Sequence, residues 1–473
     1  MAFFDALFEE ARIAGASLAD YLGGTGLRLG VTGLSRAGKT VFITALIHQL
    51  TKGGRLPVFR VHAEGRLTGA ALEPQPDDQV PRFAYEQHLA ALTGEDRHWP
   101  QSTRRISELR LTLEFERAAG WRRGPAALTL DIVDYPGEWL LDLPLLGKSY
   151  TQWSRETLDA SGGAARAPMA AEWRGFLAGL APDAPASEDD ARKAAELFTL
   201  YLRQARDERL ALSTLPPGRF LMPGDLEGSP LLSFAPLSVT PDQQFTSGTL
   251  GALMERRFNS YVSHVVKPFF YGHFARLNRQ IVLVDVMSAL NAGEAAVNDL
   301  RTALTDVMSA FRLGANTLAT NLFGRRIDKV LFAATKADLL NQNGHERLEA
   351  ILRLLVQQAT AKAEFTGAKV DAMALSAIRA TREAIVTQKS QDFACIAGIP
   401  EVGEVIGNEI FDGEKEAEIF PGDLPEDPAA ALKGLGEQAL HFVKFRPPLL
   451  KAETFPHIRL DRAIEFLIGD SLP

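Results

Sequence analysis

The stretch Leu29-Gly-Val-Thr-Gly33-Leu-Ser-Arg-Ala-Gly38-Lys39-Thr40 decides the fold of this chain. Its last eight residues match the pattern G-x-x-x-x-G-K-[ST] at every fixed position. An apolar strand pattern, Leu27 to Thr32, precedes the loop, and a buried-helix pattern, Val41 to Leu50, follows it. Glycines let successive backbone N–H groups point inward, and the helix adds its N-terminal dipole. This order therefore predicts a loop that binds phosphate groups.

The G-x-x-x-x-G-K-[ST] pattern predicts what individual residues of the loop do. We predict that Lys39 bridges the β- and γ-phosphates of a nucleoside triphosphate and that the Thr40 hydroxyl binds Mg²⁺. Lys39 is also predicted to be catalytic, because its charge would stabilise the charge that develops during phosphoryl transfer. The predicted phosphate-binding set comprises Gly33, Ser35, Arg36, Ala37, Gly38, Lys39, Thr40 and Val41.

A second motif, Asp134-Tyr-Pro-Gly137, directly follows the apolar run Ala126 to Val133. A carboxylate at the end of such a strand can reach Mg²⁺ through water, which makes Asp134 a predicted metal residue. The backbone N–H of Gly137 is predicted to contact the γ-phosphate. A simple strand-to-turn Pro-Gly is the alternative interpretation, and the preceding phosphate loop favours the nucleotide role.

Two further motifs predict which base is bound. Thr335-Lys336-Ala337-Asp338 follows the apolar strand Val330 to Ala334. The Asp338 carboxylate can accept from the ring N–H and the exocyclic amine of guanine, a pair of donors that adenine lacks, and the Lys336 stem can lie along the base. After the last predicted strand, a backbone N–H of Ser376-Ala377 can contact guanine O6. Because these motifs all end strands in the order a GTPase domain uses, the chain is predicted to bind guanine nucleotides.

The residues that position the attacking water and the switch are less sharply defined. Glu138 occupies the position after Asp-x-x-Gly where many small GTPases carry a glutamine. We predict either that it orients water or that it pairs with a switch arginine, since a carboxylate beside the γ-phosphate adds repulsion. Thr103 is the predicted switch threonine that binds Mg²⁺, with Ser102 or a more distant threonine as alternatives. Arg36 is the predicted catalytic cation, and Arg104 and Arg105 are also candidates.

Strands alternate with helices along the chain, which predicts an α/β fold with a mostly parallel sheet flanked by helices. We expect a helix in residues 1–23 and a G domain formed by residues 24–140 and 273–381. Residues 141–272 form a predicted helical insertion, in which Ser187 and Asp190 suggest a capping box that opens a helix through Ala191 to Leu212. Residues 382–473 are predicted to be an extension packed on the G domain.

Composition narrows the class of protein. The net charge of −8 disfavours non-specific nucleic-acid binding, which depends on Lys and Arg. The single cysteine, Cys395, fits a reducing compartment, and the sequence lacks a run of about 18 apolar residues that could span a membrane. We therefore expect a cytoplasmic protein.

These motifs together resemble the YcjX-like family of bacterial P-loop GTPase-like proteins over nearly the whole chain. The resemblance includes the segments 29–40, Asp131-Ile-Val-Asp-Tyr-Pro-Gly-Glu-Trp139, Val282-Leu-Val-Asp285, 335–338, Phe420-Pro-Gly-Asp-Leu-Pro425 and Phe455-Pro-His-Ile-Arg-Leu-Asp461. It implies a Ras-like G domain with a large helical insertion. It also implies a link to bacterial envelope stress, hence a membrane-protein partner and a place at the periphery of the inner membrane.

Three functions fit these patterns. The first is a magnesium-dependent GTPase that acts as a slow switch, accelerated by a protein partner or by formation of a homodimer, with the insertion reporting the nucleotide state. The second is a P-loop small-molecule kinase that uses the insertion as a lid. The third is a nucleotide-binding scaffold with negligible hydrolysis. It remains an alternative because Glu138 replaces the glutamine that many small GTPases carry at this position. Asp338 favours the first.

Overall fold

A computed structural model describes residues 26–33, 37–75, 77–101, 105–118, 124–207, 210–313, 327–365, 368–388, 390–436, 440–450 and 453–473, with side chains omitted in 309–313 and 358–365. Several predictions fall outside these residues. They concern the helix in residues 1–23, the loop positions Ser35 and Arg36, and the switch positions Ser102, Thr103 and Arg104.

Within the described residues, the core of the protein is a seven-stranded sheet with the order β2-β3-β4-β1-β5-β6-β7. β4, β1, β5, β6 and β7 run parallel, whereas β3 is antiparallel to β4 and β2 is antiparallel to β3. The prediction of an α/β fold with a mostly parallel sheet is therefore confirmed. The strands are β1 (Gly26–Gly33), β2 (Leu67–Glu73), β3 (Ser107–Arg117), β4 (Gly124–Asp134), β5 (Arg279–Val284), β6 (Lys329–Ala334) and β7 (Lys369–Ala374).

Helices cover both faces of the sheet. Before the insertion these are α1 (Lys39–Lys52), α2 (Arg60–Ala63) and α3 (Tyr85–Thr93). Within the insertion they are α4 (Tyr150–Ser161), α5 (Ala167–Leu177), α6 (Glu188–Ala205), α7 (Gly218–Leu221), α8 (Leu250–Tyr261) and α9 (Lys267–Gly272). After it they are α10 (Val286–Ala292), α11 (Glu294–Leu313), α12 (Gln342–Phe365), α13 (Pro428–Ala431) and α14 (Leu460–Ile468). In the part of the chain described here, no helix has the length and apolarity needed to cross a membrane.

Side chains that alternate along each strand pack against helices on the two opposite faces of the sheet. Ile281 and Leu283 in β5 pack with α1, α3 and α14 on one face. Val282 and Val284 pack on the other face with α11, α12 and the insertion. Because successive strand side chains point to opposite faces, the burial of every residue in Arg279–Val284 shows that this strand is covered on both sides.

The insertion is built around aromatic side chains. After a 3₁₀ segment, Gly137–Gly147, its helices bury Trp153, which stacks on Phe258 at a centroid distance of 5.2 Å. Trp173 likewise stacks on Tyr201 at 5.3 Å. Such pairs each contribute about 0.5–1.5 kcal/mol beyond the area they bury. This core continues into the sheet face that carries Val282 and Val284, so the insertion packs directly on the sheet.

Helix α6 begins as predicted but ends earlier than predicted. The Ser187 hydroxyl accepts the Asp190 backbone N–H at 3.2 Å, which caps its N-terminus. The helix ends at Ala205, so the prediction that it extends to Leu212 was wrong. Beyond it, the Asp299 carboxylate accepts the backbone N–H groups of Ser213 and Thr214 at 2.5 and 2.9 Å. This attachment to α11 draws the chain away from the α6 axis.

The C-terminal residues add a small antiparallel sheet of β8 (Arg382–Gln388), β9 (Gln391–Gly398) and β12 (Ala417–Ile419). Two short strands, β10 (Val405–Ile406) and β11 (Glu409–Ile410), form a separate hairpin. The final helix, α14, packs on the main sheet, where the Arg279 side chain donates to the Leu467 carbonyl at 2.9 Å. The sequence analysis predicted an extension over residues 382–473 but not these strands.

A buried carboxyl group links three parts of the insertion. Asp142, in the 3₁₀ segment, accepts the Gly218 backbone N–H at 2.7 Å and the Tyr261 hydroxyl at 2.7 Å. Burial raises the pKa of Asp142 to about 6, and the two hydrogen bonds offset only part of that effect. The folded state therefore holds a proton on Asp142 at pH values where the unfolded chain has lost it.

This proton predicts a pH dependence of stability. The contribution of Asp142 is fully present below its unfolded pKa and is lost as pH rises through its folded pKa, between about 4 and 6, at a cost of up to about 3 kcal/mol. Asp142→Asn, which resembles the protonated form, should flatten this slope in urea unfolding curves. Asp189→Asn, at an exposed site on α6, is the control. An unchanged slope in Asp142→Asn would contradict the assignment.

Candidate functional site

Three of the four predicted motifs line one pocket of about 900 Å³: the phosphate loop, Thr335–Asp338 and Ser376-Ala377. The fourth, Asp134–Gly137, is not part of its lining but lies against the start of the phosphate loop. The pocket lies where the parallel strands β1, β5, β6 and β7 end, the edge at which open α/β sheets bind ligands. The segment from Ala37 to Phe42 lines one side, and Thr335, Lys336 and Asp338 line another. The insertion contributes Arg206 and neighbouring residues, and the C-terminal extension completes the wall.

The phosphate loop is described at its two ends, Gly33 and Ala37 to Thr40. Gly38 adopts φ +80°, a left-handed conformation that favours glycine, immediately before α1 begins at Lys39. The Lys39 ammonium donates to the Gly33 carbonyl at 3.3 Å, so it lies folded back over the start of the loop. A Cβ on Gly33 would lie 3.0 Å from the Leu283 Cβ, so a larger residue there would force its neighbours to shift.

Gly137 brings the segment after β4 against the phosphate loop. A Cβ built on Gly137 would overlap the Gly33 carbonyl oxygen and would lie 3.4 Å from the Lys39 ammonium. Only a glycine permits this approach without displacing the backbone. Gly137 and Lys39, both predicted to contact the γ-phosphate, are thus neighbours in the fold.

Tyr135 fixes the position of this segment. Its hydroxyl donates to Gln280 Oε1 at 3.2 Å, and the Gln280 amide donates to the Thr32 hydroxyl at 2.9 Å. Burial raises the pKa of Tyr135 well above its usual value, so the hydroxyl stays protonated as a donor. The ring packs edge-on against Phe269 of α9 at 5.5 Å. Tyr135 therefore joins the candidate switch both to the sheet and to the insertion.

Glu138 is held by the insertion. Its carboxylate forms an ion pair with the guanidinium of Arg206, the residue that follows α6, and it is 6% exposed. A Cβ built on Gly218 would overlap the Glu138 carbonyl oxygen, so the backbones also touch. Of the two roles predicted for Glu138, the observed contact matches pairing with an arginine, although the partner is not one of the arginines predicted.

Two side chains with oxygen atoms suited to a magnesium ion, Thr40 and Asp134, belong to elements next to β1 and the phosphate loop. Thr40 is buried, and its hydroxyl lies 3.5 Å from the Gln101 carbonyl oxygen. Asp134 is 1% exposed at the end of β4, opposite Val31 of β1. Hydroxyl, carboxylate and carbonyl oxygens are the ligands that Mg²⁺ prefers, so the residues present fit this ion. The chain reaches the site at Gln101, directly before the segment that carries Thr103.

Asp338 lies at the far end of the pocket. Its carboxylate accepts the Ala380 backbone N–H at 2.9 Å, and burial raises its pKa. Lys336 adopts φ +62° and its ammonium forms an ion pair with Asp285 at 2.5 Å. Asp285, which follows β5, also caps α10 by accepting the Ser288 N–H at 3.2 Å. This ion pair holds the Lys336 stem across the pocket between β5 and β6.

The Ser376-Ala377 motif also lines the pocket, but its two N–H groups differ. The Ser376 N–H donates to the Ile458 carbonyl at 3.1 Å in a bridge to the C-terminal extension. Ala377 is therefore the better candidate for a backbone contact with guanine O6.

Sequence reasoning missed two contributors to the pocket. Arg206 belongs to no recognisable motif, and its contact with Glu138 spans 68 positions in the chain. The extension also holds the segment before the predicted switch, because the Trp99 indole donates to the Phe445 carbonyl at 2.6 Å. Among the described residues, Arg206 is the arginine that lines the pocket, whereas the predicted candidate Arg105 is exposed and outside it.

Comparisons with known proteins cover most of the chain. The sequence model of the YcjX-like family, DUF463, matches residues 27–472. A protein named "Ras-like GTPase YcjX" from Escherichia coli (strain K12) is 41% identical over 465 residues, covering 94% of this chain and 96% of that protein. One of the same name from Shewanella oneidensis is 37% identical over 471 residues, covering 94% of each chain. With its phosphate loop at the edge of a mostly parallel sheet, this chain belongs to the YcjX-like family of P-loop proteins.

Proposed function

We propose that this protein binds GTP and GDP and hydrolyses GTP to GDP and phosphate with Mg²⁺, as a slow regulatory switch. The observation that carries the proposal is the single pocket shared by Lys39 and Asp338. One residue suits a triphosphate and the other suits guanine, and both line a volume of about 900 Å³. The names of the relatives, Ras-like GTPases, support the same reaction.

At the phosphate end, the residues would act by position and charge. Lys39 would neutralise charge on the β–γ bridge, and the Gly137 N–H would donate to a γ-phosphate oxygen. Water attacks the γ-phosphorus, the bond to the bridging oxygen of GDP breaks, and the water proton leaves with phosphate or solvent. Thr40 and Asp134 would hold Mg²⁺, together with Thr103 in its predicted role. When bound, this ion supplies charge stabilisation for the phosphate oxygens.

At the base end, Asp338 would select guanine by accepting from its ring N–H and exocyclic amine. A buried carboxylate discriminates strongly, because a base without those donors leaves it unpaired at a cost of about 1–3 kcal/mol. Lys336, Thr335 and the Ala377 N–H would complete the base site. Burial raises the pKa of Asp338 and thereby favours its neutral form. The two N–H donors of a bound guanine would oppose this effect, because they stabilise the charged carboxylate.

The insertion would report the nucleotide state to a partner. Tyr135 and Trp139 flank Gly137 and pack on Phe269 of the insertion at 5.5 and 5.7 Å. A shift of Gly137 toward a γ-phosphate would therefore move groups that belong to the insertion core. The family resemblance supports a role in bacterial envelope stress, with a cytoplasmic protein that meets a membrane partner or a second copy of itself.

Calorimetric titration with GDP, a GTP analogue, ADP and an ATP analogue in magnesium tests the proposal. We expect binding of the guanine nucleotides and at least a roughly hundredfold preference over adenine. Phosphate release from GTP then separates a switch from a scaffold without hydrolysis. Equal affinity for guanine and adenine would favour the small-molecule kinase alternative and would overturn the proposal.

Lys39→Ala should abolish binding of GDP and of the GTP analogue, because the loop loses the cation that lies beside Gly137. Lys52→Ala, an exposed site at the end of the same helix, is the control and should bind normally. Titration calorimetry measures both. An unchanged affinity in Lys39→Ala would remove the loop from nucleotide binding.

Asp338→Asn should weaken GTP binding roughly hundredfold, because the amide cannot accept from both guanine donors. The same variant should gain affinity for xanthosine triphosphate, whose carbonyl at position 2 can accept from the new amide. Competition titration of GTP against xanthosine triphosphate measures the change. If the preference does not move, Asp338 does not contact the base.

Gly137→Ala should slow GTP hydrolysis roughly hundredfold, because the added Cβ would overlap the Gly33 carbonyl and displace the backbone. Gly147→Ala is the matched control, since a Cβ there meets no described atom within 4 Å. Phosphate release at saturating GTP compares the two variants. Equal rates would show that the approach of Gly137 to the loop is not required.

A further inference from the structure

The insertion places one arginine, Arg206, in the wall of the pocket that Lys39 and Asp338 share. Arg206 directly follows α6, and its backbone N–H donates to the Leu202 carbonyl as the helix ends. The buried face of α6 includes Phe198, Tyr201 and Ala205, which are at most 1% exposed. A rigid helix therefore fixes where the Arg206 side chain begins.

The guanidinium of Arg206 lies next to the elements that would bind the γ-phosphate. It pairs with Glu138, which follows Gly137, and Gly137 in turn lies against Lys39. Its second nitrogen donates to the Met222 sulfur at 3.6 Å. The Arg206 side chain is 23% exposed and lines the same pocket as Lys39 and Thr40. Among the described lining residues of this pocket it is the only arginine.

The ion pair is not needed to attach the insertion to the switch. Arg219 stacks on the Trp139 ring at 3.3 Å, and the Trp139 indole donates to the Met222 carbonyl at 3.2 Å. The Gly218 backbone also packs directly on Glu138. These contacts hold the two segments together whether or not the Arg206 side chain faces Glu138.

We propose that Arg206 is an arginine finger supplied by the insertion of the same chain, and that Glu138 holds it beside the site until a triphosphate is bound. This inference rests on the proposed GTPase function. Glu138 offers one negative charge, whereas the transferring phosphoryl group spreads more charge over three oxygens that an arginine can bind in bidentate fashion. Repulsion between Glu138 and those oxygens favours the exchange of partners.

In this arrangement Arg206 is a catalytic residue and Glu138 is a positioning residue. As water attacks the γ-phosphorus and the bond to GDP breaks, Arg206 stabilises charge on the γ-phosphate and bridging oxygens. Arg206 acts through its charge alone, and no proton moves through it. Because the insertion delivers the finger, a partner that shifts α6 would change the rate of hydrolysis without entering the pocket.

Single-turnover GTP hydrolysis by four variants tests this role. Arg206→Gln keeps a donor for Glu138 but removes the charge, and it should lower the rate roughly 10³-fold while the affinities for GDP and a GTP analogue are unchanged. Arg206→Lys should recover part of the rate, since it restores the charge. Glu138→Gln should raise the rate above that of the unsubstituted chain, because the finger is held less tightly. Arg192→Ala, an exposed site on the same helix, is the control.

A second readout does not depend on turnover. GDP with aluminium fluoride mimics the transferring phosphoryl group, and fluoride-dependent tryptophan fluorescence should appear in the unsubstituted chain and be absent in Arg206→Gln. If the unsubstituted chain binds no guanine nucleotide, the proposed function fails. If it binds and Arg206→Gln retains full hydrolysis or full aluminium fluoride binding, only the finger is overturned. Equal loss of rate in Arg206→Gln and Glu138→Gln would also overturn it, because that result indicates a purely structural ion pair.

Discussion

The approach of the Gly137 backbone to the Gly33 carbonyl is the constraint on which the rest of the site depends. It leaves no space for a Cβ and brings Gly137 beside the Lys39 ammonium. Gly33 is the last residue of β1, and Gly137 lies shortly after the end of the adjacent parallel strand β4, so the sheet brings the two backbones together. A displacement of either strand end would separate Gly137 from Lys39, the two residues proposed to contact the γ-phosphate.

Side chains on either side of Gly137 connect this segment to the sheet and to the insertion. Tyr135 reaches back to Gln280 and Thr32 under the phosphate loop, and it packs forward on Phe269. Glu138 is tied to Arg206 at the end of α6. The insertion shares one apolar core with a face of the sheet. A movement of the segment around Gly137 would therefore displace side chains that pack on α6 and α9.

The sequence predicted the parts of this protein that depend on local pattern and strand order. Lys39 and Asp338 are distant in the chain, yet each follows a buried strand, and parallel strands bring their carboxyl ends to one edge. The Arg206–Glu138 and Lys336–Asp285 ion pairs have no such local signal, because they form between segments whose distance the sequence does not encode in any short motif. The early end of α6 at Ala205 was missed for the same reason, since Asp299 redirects the chain from another helix.

The central claim is that one guanine nucleotide spans the pocket and that its γ-phosphate is communicated to the insertion. Hydrogen–deuterium exchange of the full chain in magnesium, with GDP and with a non-hydrolysable GTP analogue, measures this directly. We predict that both nucleotides protect the segments 37–52 and 335–340, and that only the GTP analogue changes exchange in 198–222. Protection of the pocket with identical exchange of 198–222 in both states would contradict the account.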